Sequence, residues 1–278
     1  MRLCGEAFFQ WKLKKHGCVP PRSRVERLIA AVGLFFIEPL LAAALLLAYV
    51  LFCVAACFFP QTRFLGPVIH RGRRGKNQVA LTFDDGPSPA TTPAILDALD
   101  RHRAPATFFV SGVNAEKEPG LMAEILRRGH AVGNHTYRHD PLVMLKGYRT
   151  LYREIRDAAE ALRRLGIDAQ AFRPPVGIVN PGLFPILDEL GLFCVTFNRR
   201  ARDAGNIRVR RLAQKILGRV ADGDIILLHD VKPRRPEDEA LLAREIEKIL
   251  AGIDERGLDI VPLAELIGRE TMSGVRPS

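Results

Sequence analysis

Two adjacent carboxylates, Asp84 and Asp85, stand at the end of an apolar run in the stretch VALTFDDGPSP, residues 79–89. The apolar residues predict a buried strand, and Gly86-Pro87 predicts the turn that ends it. Like charges side by side repel each other, so the two carboxylates are either both solvated or used by another group. The stretch is therefore the first candidate for a site that carries out chemistry.

Polar side chains of the types that carry chemistry recur at the ends of four further apolar runs. They are His135 and His139 in GNHTYRHD, Arg173 in FRPPVG, Asp203 in NRRARD, and His229 and Asp230 in LLHD. Two imidazoles four residues apart can reach one metal ion. The five cysteines form no CxxC pair, so a cysteine-based metal site is not expected. Each polar residue, taken alone, is explained by a surface position or a turn. Because every one of these predicted strand ends carries such a residue, the set predicts a shared site.

Strand-like and helix-like runs alternate through residues 77–278. Seven runs have the apolar, β-branched or aromatic character of strands, and the six runs between them have helical spacing. This alternation predicts an α/β fold with parallel strands and crossover helices. The 202 residues of this region suit an open or closed β/α barrel better than two domains, and a doubly wound sheet is the alternative fold. In both folds a ligand binds at the C-terminal ends of the strands, where the polar residues lie.

The N-terminal quarter of the chain is basic and apolar. Residues 1–76 hold 12 Lys/Arg against 3 Asp/Glu, whereas residues 77–278 hold 29 against 28, within a formal net charge of +10. Residues 28–59 carry one charge, Glu38, and the stretch 40–59 carries none, which predicts a transmembrane helix. Basic charge beside an apolar segment indicates a membrane surface as partner. No nucleic-acid-binding motif accompanies it, so nucleic acid is not an expected partner.

These features predict how the chain is divided. We expect a basic cytoplasmic segment (1–27), a membrane anchor (28–59, with the span at about 40–59), a basic linker (60–76), a globular domain (77–268) and a tail (269–278). Arg24 and Arg27 lie nearest the apolar segment and favour a cytoplasmic N-terminus, which places the domain in the periplasm or outside the cell. The alternatives are a helical hairpin within the anchor and a lipoprotein cleavage site at Cys57.

The four motifs, taken in order, resemble those of the NodB-homology polysaccharide deacetylases, carbohydrate esterase family four. TFDDGP resembles the first motif of that family, HTYRH the second, RPPVG the third and LLHD the last. The resemblance spans residues 77–265. It implies a distorted (β/α) barrel, with about seven parallel strands visible in this sequence, preceded here by the transmembrane helix.

For the metal, the resemblance implies a His-His-Asp site. Asp85, His135 and His139 would hold a divalent ion, zinc in the first place, with cobalt or nickel as alternatives. Such a site leaves positions open for water and substrate. The charge of the ion would make two neighbouring carboxylates tolerable and keep Asp84 ionised near neutral pH.

For proton transfer, the resemblance implies a base and an acid. Asp84 would be the general base, and Arg173 would pair with it. His229 would protonate the leaving amine while Asp203 orients its ring. The backbone N–H of Val176 would help to stabilise the oxyanion.

Two positions depart from the family pattern. The residue after RPP is usually Tyr and here is Val176, which alters a groove wall but keeps the backbone donor. The fourth family motif has Trp after Asp, whereas Ala204 follows Asp203 and residues 77–278 contain no Trp. That Trp forms a wall of the pocket for the acyl group. Without it, the identity of the acyl group and of the sugar is not predicted.

Arginines follow two of the strand-like runs that carry the motifs. They are Arg199, Arg200 and Arg202 after the fifth run, and Arg234 and Arg235 after the sixth. Guanidinium groups match phosphate and carboxylate, so these residues are candidate contacts for an anionic substrate. The alternative is that they are solvated loop residues, partly neutralised by the acidic residues 237–239.

The resemblance and the anchor together imply a membrane-anchored, metal-dependent deacetylase. Its substrate would be the N-acyl group of an amino-sugar-containing glycan or glycolipid, such as a lipid-linked sugar. An O-acetyl esterase on polysaccharide and a catalytically dead glycan-binding protein are the alternatives on the same fold. Every residue of the chemistry is present, which speaks against a dead protein, whereas the sequence does not separate the amidase from the esterase.

Overall fold

The computed structural model of the chain describes residues 29, 32, 33, 39–59, 62 and 64–274. The chain divides into two units, Met1–Ala55 and Ala56–Ser278. The expected cytoplasmic segment, 1–27, lies outside the described residues, as do most of residues 28–38, on which the hairpin alternative depends.

One long apolar helix, α1, covers Pro39–Phe58. Proline fits the first position because the N–H group there has no partner within a helix. The 20 residues of α1 have a mean hydropathy of 2.7, and they span about 30 Å, the thickness of a bilayer's hydrocarbon core. Leu40 exposes 86% of its surface and Leu47 exposes 60%. The predicted span is therefore a helix with the length and composition to cross a membrane.

A parallel sheet forms the centre of the second unit. The strands are β1 (Val68–Ile69), β2 (Gln78–Asp84), β3 (Ala106–Val110), β4 (Ala131–Asn134), β5 (Ile167–Ala169), β6 (Ala171–Phe172), β7 (Phe193–Val195), β8 (Arg199–Arg200), β9 (Ile225–His229), β10 (Asp259–Ile260) and β11 (Met272–Gly274). Eight of them follow the order β1-β7-β6-β4-β3-β2-β9-β8, and β10 adds to β2. Among the described residues the two end strands do not pair with each other, so the barrel stays open. The predicted distorted barrel is confirmed.

The seven predicted strands are all present, as β2, β3, β4, β6, β7, β9 and β10. The four further strands have two or three residues, too few to show a periodic pattern. One of them, β11, pairs antiparallel with β5, so residues 272–274 belong to the fold and not to the expected tail 269–278. Another, β1, pairs with β7 and lies within the expected linker 60–76. Strands this short are recognisable only from their partners, so no sequence pattern indicates them.

Helices connect the strands, as the alternating pattern predicts. They are α2 (Thr92–Arg101), α3 (Gly112–Lys117), α4 (Pro119–Arg127), α5 (Tyr148–Arg164), α6 (Leu183–Glu189), α7 (Leu212–Leu217), α8 (Asp238–Asp254) and α9 (Leu263–Ile267). The six predicted helices are present, and the short α3 and α9 are additional. In α5 the buried residues Leu151, Ile155, Ala158, Ala159 and Leu162 recur at helical spacing, which gives this helix one apolar face.

Strand β2 lies inside the sheet, between β3 and β9. Six of its seven residues are buried, which accounts for the uninterrupted apolar run that predicted it. Phe83 of β2 stacks on Phe108 of β3, with ring centroids 5.1 Å apart. A strand held on both sides in this way brings Asp84, its last residue, to a fixed place at the edge of the sheet.

Candidate active site

The chain turns sharply between Asp84 and Asp85 at the end of β2. Asp85 has φ +75°, in the left-handed region that few residues other than glycine adopt. Two hydrogen bonds hold this turn: Asp85 N–H donates to the carbonyl oxygen of Phe109 (3.2 Å), and the side-chain amide of Asn114 donates to the carbonyl oxygen of Asp85 (2.9 Å). The turn places both carboxylates in one cavity.

Three side chains converge as a candidate metal centre. Oδ1 of Asp85 lies 2.9 Å from Nε2 of His139 and 3.4 Å from Nε2 of His135. The three ligand atoms lie within 4.8 Å of one another. Bonds of about 2.0–2.1 Å to a tetrahedral zinc separate neighbouring ligand atoms by about 3.3 Å. The spacing therefore fits a metal ion.

The orientation of His135 also fits a metal ion. Its Nδ1 lies 2.7 Å from the carbonyl oxygen of Arg173, so the Nδ1–H group donates there and Nε2 is the ring nitrogen that faces Asp85. Metal-binding histidines usually have such an outer partner, which fixes the tautomer and the ring. His139 is held differently: it has φ +53°, and its N–H donates to Oγ1 of Thr136 (3.2 Å).

The ionisation of these groups is set by their contacts with one another. Burial alone would raise the pKa of Asp85, but hydrogen bonds and charges of His135 and His139 outweigh it and hold that pKa well below its ordinary value. Burial likewise lowers the pKa of His139, and the hydrogen bond to Asp85 more than compensates, so this pKa is raised. Asp85 is therefore ionised at neutral pH, as a metal ligand must be.

A fully buried arginine holds Asp84. Nη1 of Arg173 donates to Oδ1 of Asp84 (2.6 Å) and to Oγ1 of Thr82 (2.8 Å). The guanidinium lies over the ring of Phe109, 3.9 Å from its centroid. One oxygen of Asp84 is thus committed to the ion pair, while Oδ2 lies 3.7 Å from Nε2 of His135, beside the candidate metal centre.

His229, the last residue of β9, is paired with Asp203. Its Nδ1 lies 2.8 Å from Oδ2 of Asp203, whose carboxylate is almost fully buried. Burial lowers the pKa of His229, but the hydrogen bond to Asp203 and the surrounding carboxylate charges raise it to about 9. His229 therefore carries a proton at neutral pH, and its Nε2–H is available as a donor. The side-chain amide of Asn206 donates to the carbonyl oxygen of His229 (2.9 Å) and fixes the loop of Asp203 to this strand end.

Val176 occupies a strained turn at the wall of the same cavity. It lies in the short helical turn Pro175–Gly177 with φ +52° and ψ +7°. For a β-branched residue this left-handed conformation is a true outlier, of the kind that concentrates at functional sites. Gly177 is also left-handed, and a Cβ atom there would lie 3.3 Å from the ring of Phe197. The turn is therefore packed closely against that ring.

These groups line one cavity of about 660 Å³. Seven of the eight predicted metal, acid–base and oxyanion residues line it: Asp84, Asp85, His135, His139, Val176, Asp203 and His229. Arg173 is fully buried behind Asp84 and is not part of the lining. The structure thus brings together the predicted metal ligands, base and acid, with the predicted ion-pair partner of the base behind them.

The three arginines after β7 have different surroundings. Arg200 and Arg202 line the cavity, as expected for substrate contacts. Arg199 instead donates from Nε to Oδ2 of the buried Asp224 (2.8 Å). Its charge is therefore paired within the protein, with a carboxylate that also pairs with Arg71, although its side chain lines an adjoining pocket.

Arg234 and Arg235 are exposed and line neither pocket, so their closeness to His229 in the sequence does not bring them to the site. The cavity is completed by Phe197 and Arg208, which the sequence analysis missed. Phe197 ends the apolar run FCVTF. Its position just after the strand was the only feature of the sequence that could have indicated a place in the cavity. Ala204, where the family pattern has Trp, also lines the cavity, so Phe197 is the aromatic residue of its lining.

Residues 71–195 match the family model described as polysaccharide deacetylase. A peptidoglycan-N-acetylglucosamine deacetylase of Bacillus cereus is 34% identical over 191 residues, which cover 68% of this chain and 87% of that protein. A chitooligosaccharide deacetylase of Bradyrhizobium sp. is 33% identical over 201 residues, which cover 69% of this chain and 91% of that protein.

Two solved structures share the fold. The Bc1960 peptidoglycan N-acetylglucosamine deacetylase, in complex with 4-naphthalen-1-yl-N-oxidanyl-benzamide, gives a TM-score of 0.66 at 30% identity and covers 73% of this chain and 94% of that chain. A family 4 carbohydrate esterase from Streptomyces lividans, in complex with acetate, gives 0.61 at 29% identity and covers 73% of this chain and 99% of that chain. The sequence matches cover nearly the whole length of these relatives, and the solved structures have the same fold. The chain therefore belongs to the polysaccharide deacetylase family.

Proposed function

We propose that the protein hydrolyses the N-acyl group of an amino-sugar-containing glycan or glycolipid, with the help of a divalent metal ion. The observation that carries this proposal is the convergence of Asp85, His135 and His139 on one cavity, beside Asp84 and His229. The relatives act, by their names, on peptidoglycan N-acetylglucosamine and on chitooligosaccharide. An N-acetylated glucosamine unit is therefore the substrate group we expect.

Asp85, His135 and His139 would hold the ion, with zinc as the first choice and cobalt or nickel as alternatives. Two imidazoles and one carboxylate are donors that zinc accepts, and three protein ligands leave positions for water and substrate. When bound, the ion supplies Lewis acidity toward the acyl carbonyl and the attacking water. The hydrogen bond from His135 to the carbonyl of Arg173 keeps Nε2 free for this role.

Asp84 and His229 would carry the two proton transfers. Oδ1 of Asp84 is bound to Arg173, so Oδ2 is the oxygen that takes a proton from the attacking water. His229 is protonated at neutral pH and donates from Nε2 to the leaving nitrogen, while Asp203 holds Nδ1 and offsets the ring's charge. The C–N bond of the amide breaks as that proton is delivered, and the products are an amine and a carboxylate.

The backbone N–H of Val176 is our assignment for the protein's donor to the developing oxyanion. Val176 lines the cavity with the metal and acid–base groups. Its turn is packed closely against the ring of Phe197, which supports a fixed backbone at this position. A donor that is already in place stabilises developing charge without a reorganisation cost.

Helix α1 would be a single-pass membrane anchor. Its 20 apolar residues and the basic residues that precede it support this assignment. Arg24 and Arg27 favour a cytoplasmic segment 1–27, which leaves the catalytic domain in the periplasm or outside the cell. A reporter fused after Ser278 should be active outside the cytosol, and activity only in the cytosol would reverse the orientation.

Acetate release by the full chain in detergent tests the proposed reaction. We expect release from N-acetylglucosamine oligomers that exceeds release from O-acetylated xylan. Faster release from xylan would instead identify an O-acetyl esterase. Binding of the oligomer without release from either substrate would identify a catalytically inactive glycan-binding protein. The presence of all the groups that the reaction needs speaks against the inactive protein, and the names of the relatives favour the amide over the ester.

A further inference from the structure

A second pocket adjoins the catalytic cavity, and its lining is strongly basic. We name it the basic pocket after the five cationic residues that line it besides Arg199, namely Arg200, Arg202, Arg208, Lys215 and Arg219. Three of them, Arg200, Arg202 and Arg208, also line the catalytic cavity, so the two spaces share a wall. Among its lining residues in the described part of the chain there is no Asp or Glu.

The five cations of the basic pocket have no carboxylate partner within residues 64–274. Arg199, on the same strand as Arg200, shows the contrast, since Asp224 neutralises it at 2.8 Å. Away from the site, Arg164 likewise pairs with Glu116. Residues 77–278 carry a net charge of only +1. Five unpaired cations in one pocket are therefore a local concentration, whose mutual repulsion a bound anion would relieve.

The side chains of the five cations are exposed, and parts of the fold support some of them at the pocket. The guanidinium of Arg200 lies 5.5 Å from the ring centroid of Phe197, against the wall that the two pockets share. Lys215 lies in the last turn of α7, and Arg219 follows two residues after the end of this helix. Regular structure therefore fixes the backbones of Arg200 and Lys215, so that binding an anion there would order only the side chains.

We propose that the basic pocket binds a phosphate group carried by the sugar whose N-acyl group enters the catalytic cavity, an inference that rests on the proposed function. A phosphate carries up to about two negative charges and three strong acceptor oxygens. It can engage several guanidinium groups at once through these oxygens, whereas a single carboxylate offers one negative charge and two oxygens. The substrate class is then an N-acylated amino sugar linked to phosphate or diphosphate, either free or attached to a lipid.

The test is a binding titration of the full chain in detergent micelles. The probes are N-acetylglucosamine 1-phosphate, polyprenyl-diphosphate-linked N-acetylglucosamine, and neutral diacetylchitobiose as the reference. We expect a phosphorylated probe to bind more tightly than the neutral one, and its binding to weaken as salt is added. Whichever phosphorylated probe binds more tightly identifies the free or the lipid-linked source.

Two double variants with the same change of charge make this test specific. Lys215→Ala/Arg219→Ala removes two cations that line the basic pocket alone, and it should weaken binding of the phosphorylated probe about tenfold. Arg234→Ala/Arg235→Ala removes two exposed arginines outside both pockets and should leave that binding within about twofold. Equal losses in both variants, or tighter binding of the neutral probe, would overturn the phosphate pocket. So would tighter binding of N-acetylmuramic acid, which carries a carboxylate.

Acetate release from a chitooligosaccharide, measured on the same samples, separates this inference from the proposed function. If release is intact but no phosphorylated probe is preferred, the phosphate pocket is wrong and the deacetylase assignment stands. If the binding pattern holds but no acetylated sugar is hydrolysed, the proposed function is wrong while the anion-binding pocket stands.

Discussion

Asp84 and His229 are register partners on the neighbouring parallel strands β2 and β9. Each is the last residue of its strand, and the N–H of Asp230 donates to the carbonyl oxygen of Asp84 (2.8 Å). The backbone hydrogen bonds of an internal strand pair thus set the distance between the proposed base and acid. Arg173 and Asp203 then determine which atom of each side chain faces the substrate.

Asp84→Asn should retain the metal ion and lose turnover by about 10²-fold or more, because the amide cannot accept the proton of the attacking water. The amide oxygen can still accept a hydrogen bond from Arg173, but the buried guanidinium loses its counter-charge, so we expect a folded protein with a lower free energy of unfolding. Steady-state acetate release and metal content measure the two effects. Asp259→Asn, at an exposed position on β10, is the matched control and should behave as wild type. A rate near wild type in Asp84→Asn would mean that another residue is the base.

The pH dependence of kcat/KM should report His229. Its pKa is raised to about 9, so the protonated acid is present below that pH and is lost as the pH rises through it. A divalent cation nearby acts in the opposite direction, which makes about 9 the upper end for the alkaline limb. Asp203→Asn removes a hydrogen-bonded charge, lowers the pKa of His229 and should move this limb to lower pH.

A pH–rate profile from about pH 5 to about pH 10 measures that movement. Asp168→Asn, a partly exposed carboxylate that pairs with Arg163, serves as the control and should leave the limb in place. An alkaline limb that stays at the wild-type pH in Asp203→Asn would show that a different group is the acid.

Most of the positions in this site could be predicted because the fold places each of them in the same way, at the carboxyl end of a parallel strand. Apolar runs such as the one before Asp84 are long enough to be recognised as strands, and parallel strands gather their carboxyl ends at one edge. What the sequence did not predict depends on the backbone and on loops. Asp85 and Val176 have left-handed conformations, and nothing in the sequence indicates this, because neither residue type usually adopts them. The loop before α7 carries Arg208 to the cavity without any periodic pattern, while Arg234, nearer to a motif, stays outside.

Arg173→Met should lower the free energy of unfolding by about 3–5 kcal/mol, since it leaves the carboxylate of Asp84 buried without a partner. Denaturant unfolding of the full chain in detergent measures this change. Arg200→Met, at an exposed arginine, should stay within about 0.5 kcal/mol. Adding Asp84→Asn to Arg173→Met should recover part of the loss. A loss below about 1 kcal/mol, or no recovery, would show that the buried pair contributes little to stability.

Val176→Gly should raise the free energy of unfolding by about 1 kcal/mol, because glycine adopts the left-handed conformation without a Cβ penalty. The backbone N–H stays in place, so deacetylation should remain within about twofold. Val179→Gly, three residues along and fully buried, should instead destabilise the protein through lost packing. Lower stability in Val176→Gly would show that the turn is not strained by its side chain.

One experiment decides whether hydrolysis depends on a metal held by Asp85, His135 and His139. It measures acetate release from N-acetylglucosamine oligomers and metal content on the same full-chain samples, first after chelation and then after zinc is added back. Chelation should abolish release, and zinc should restore it in the wild type and in His102→Ala, whose histidine is at the surface beside Glu247. His135→Ala should neither hold the ion nor recover release. Undiminished release from the metal-free wild type, or full metal occupancy with full release in His135→Ala, would contradict a metal-dependent deacetylase at this site.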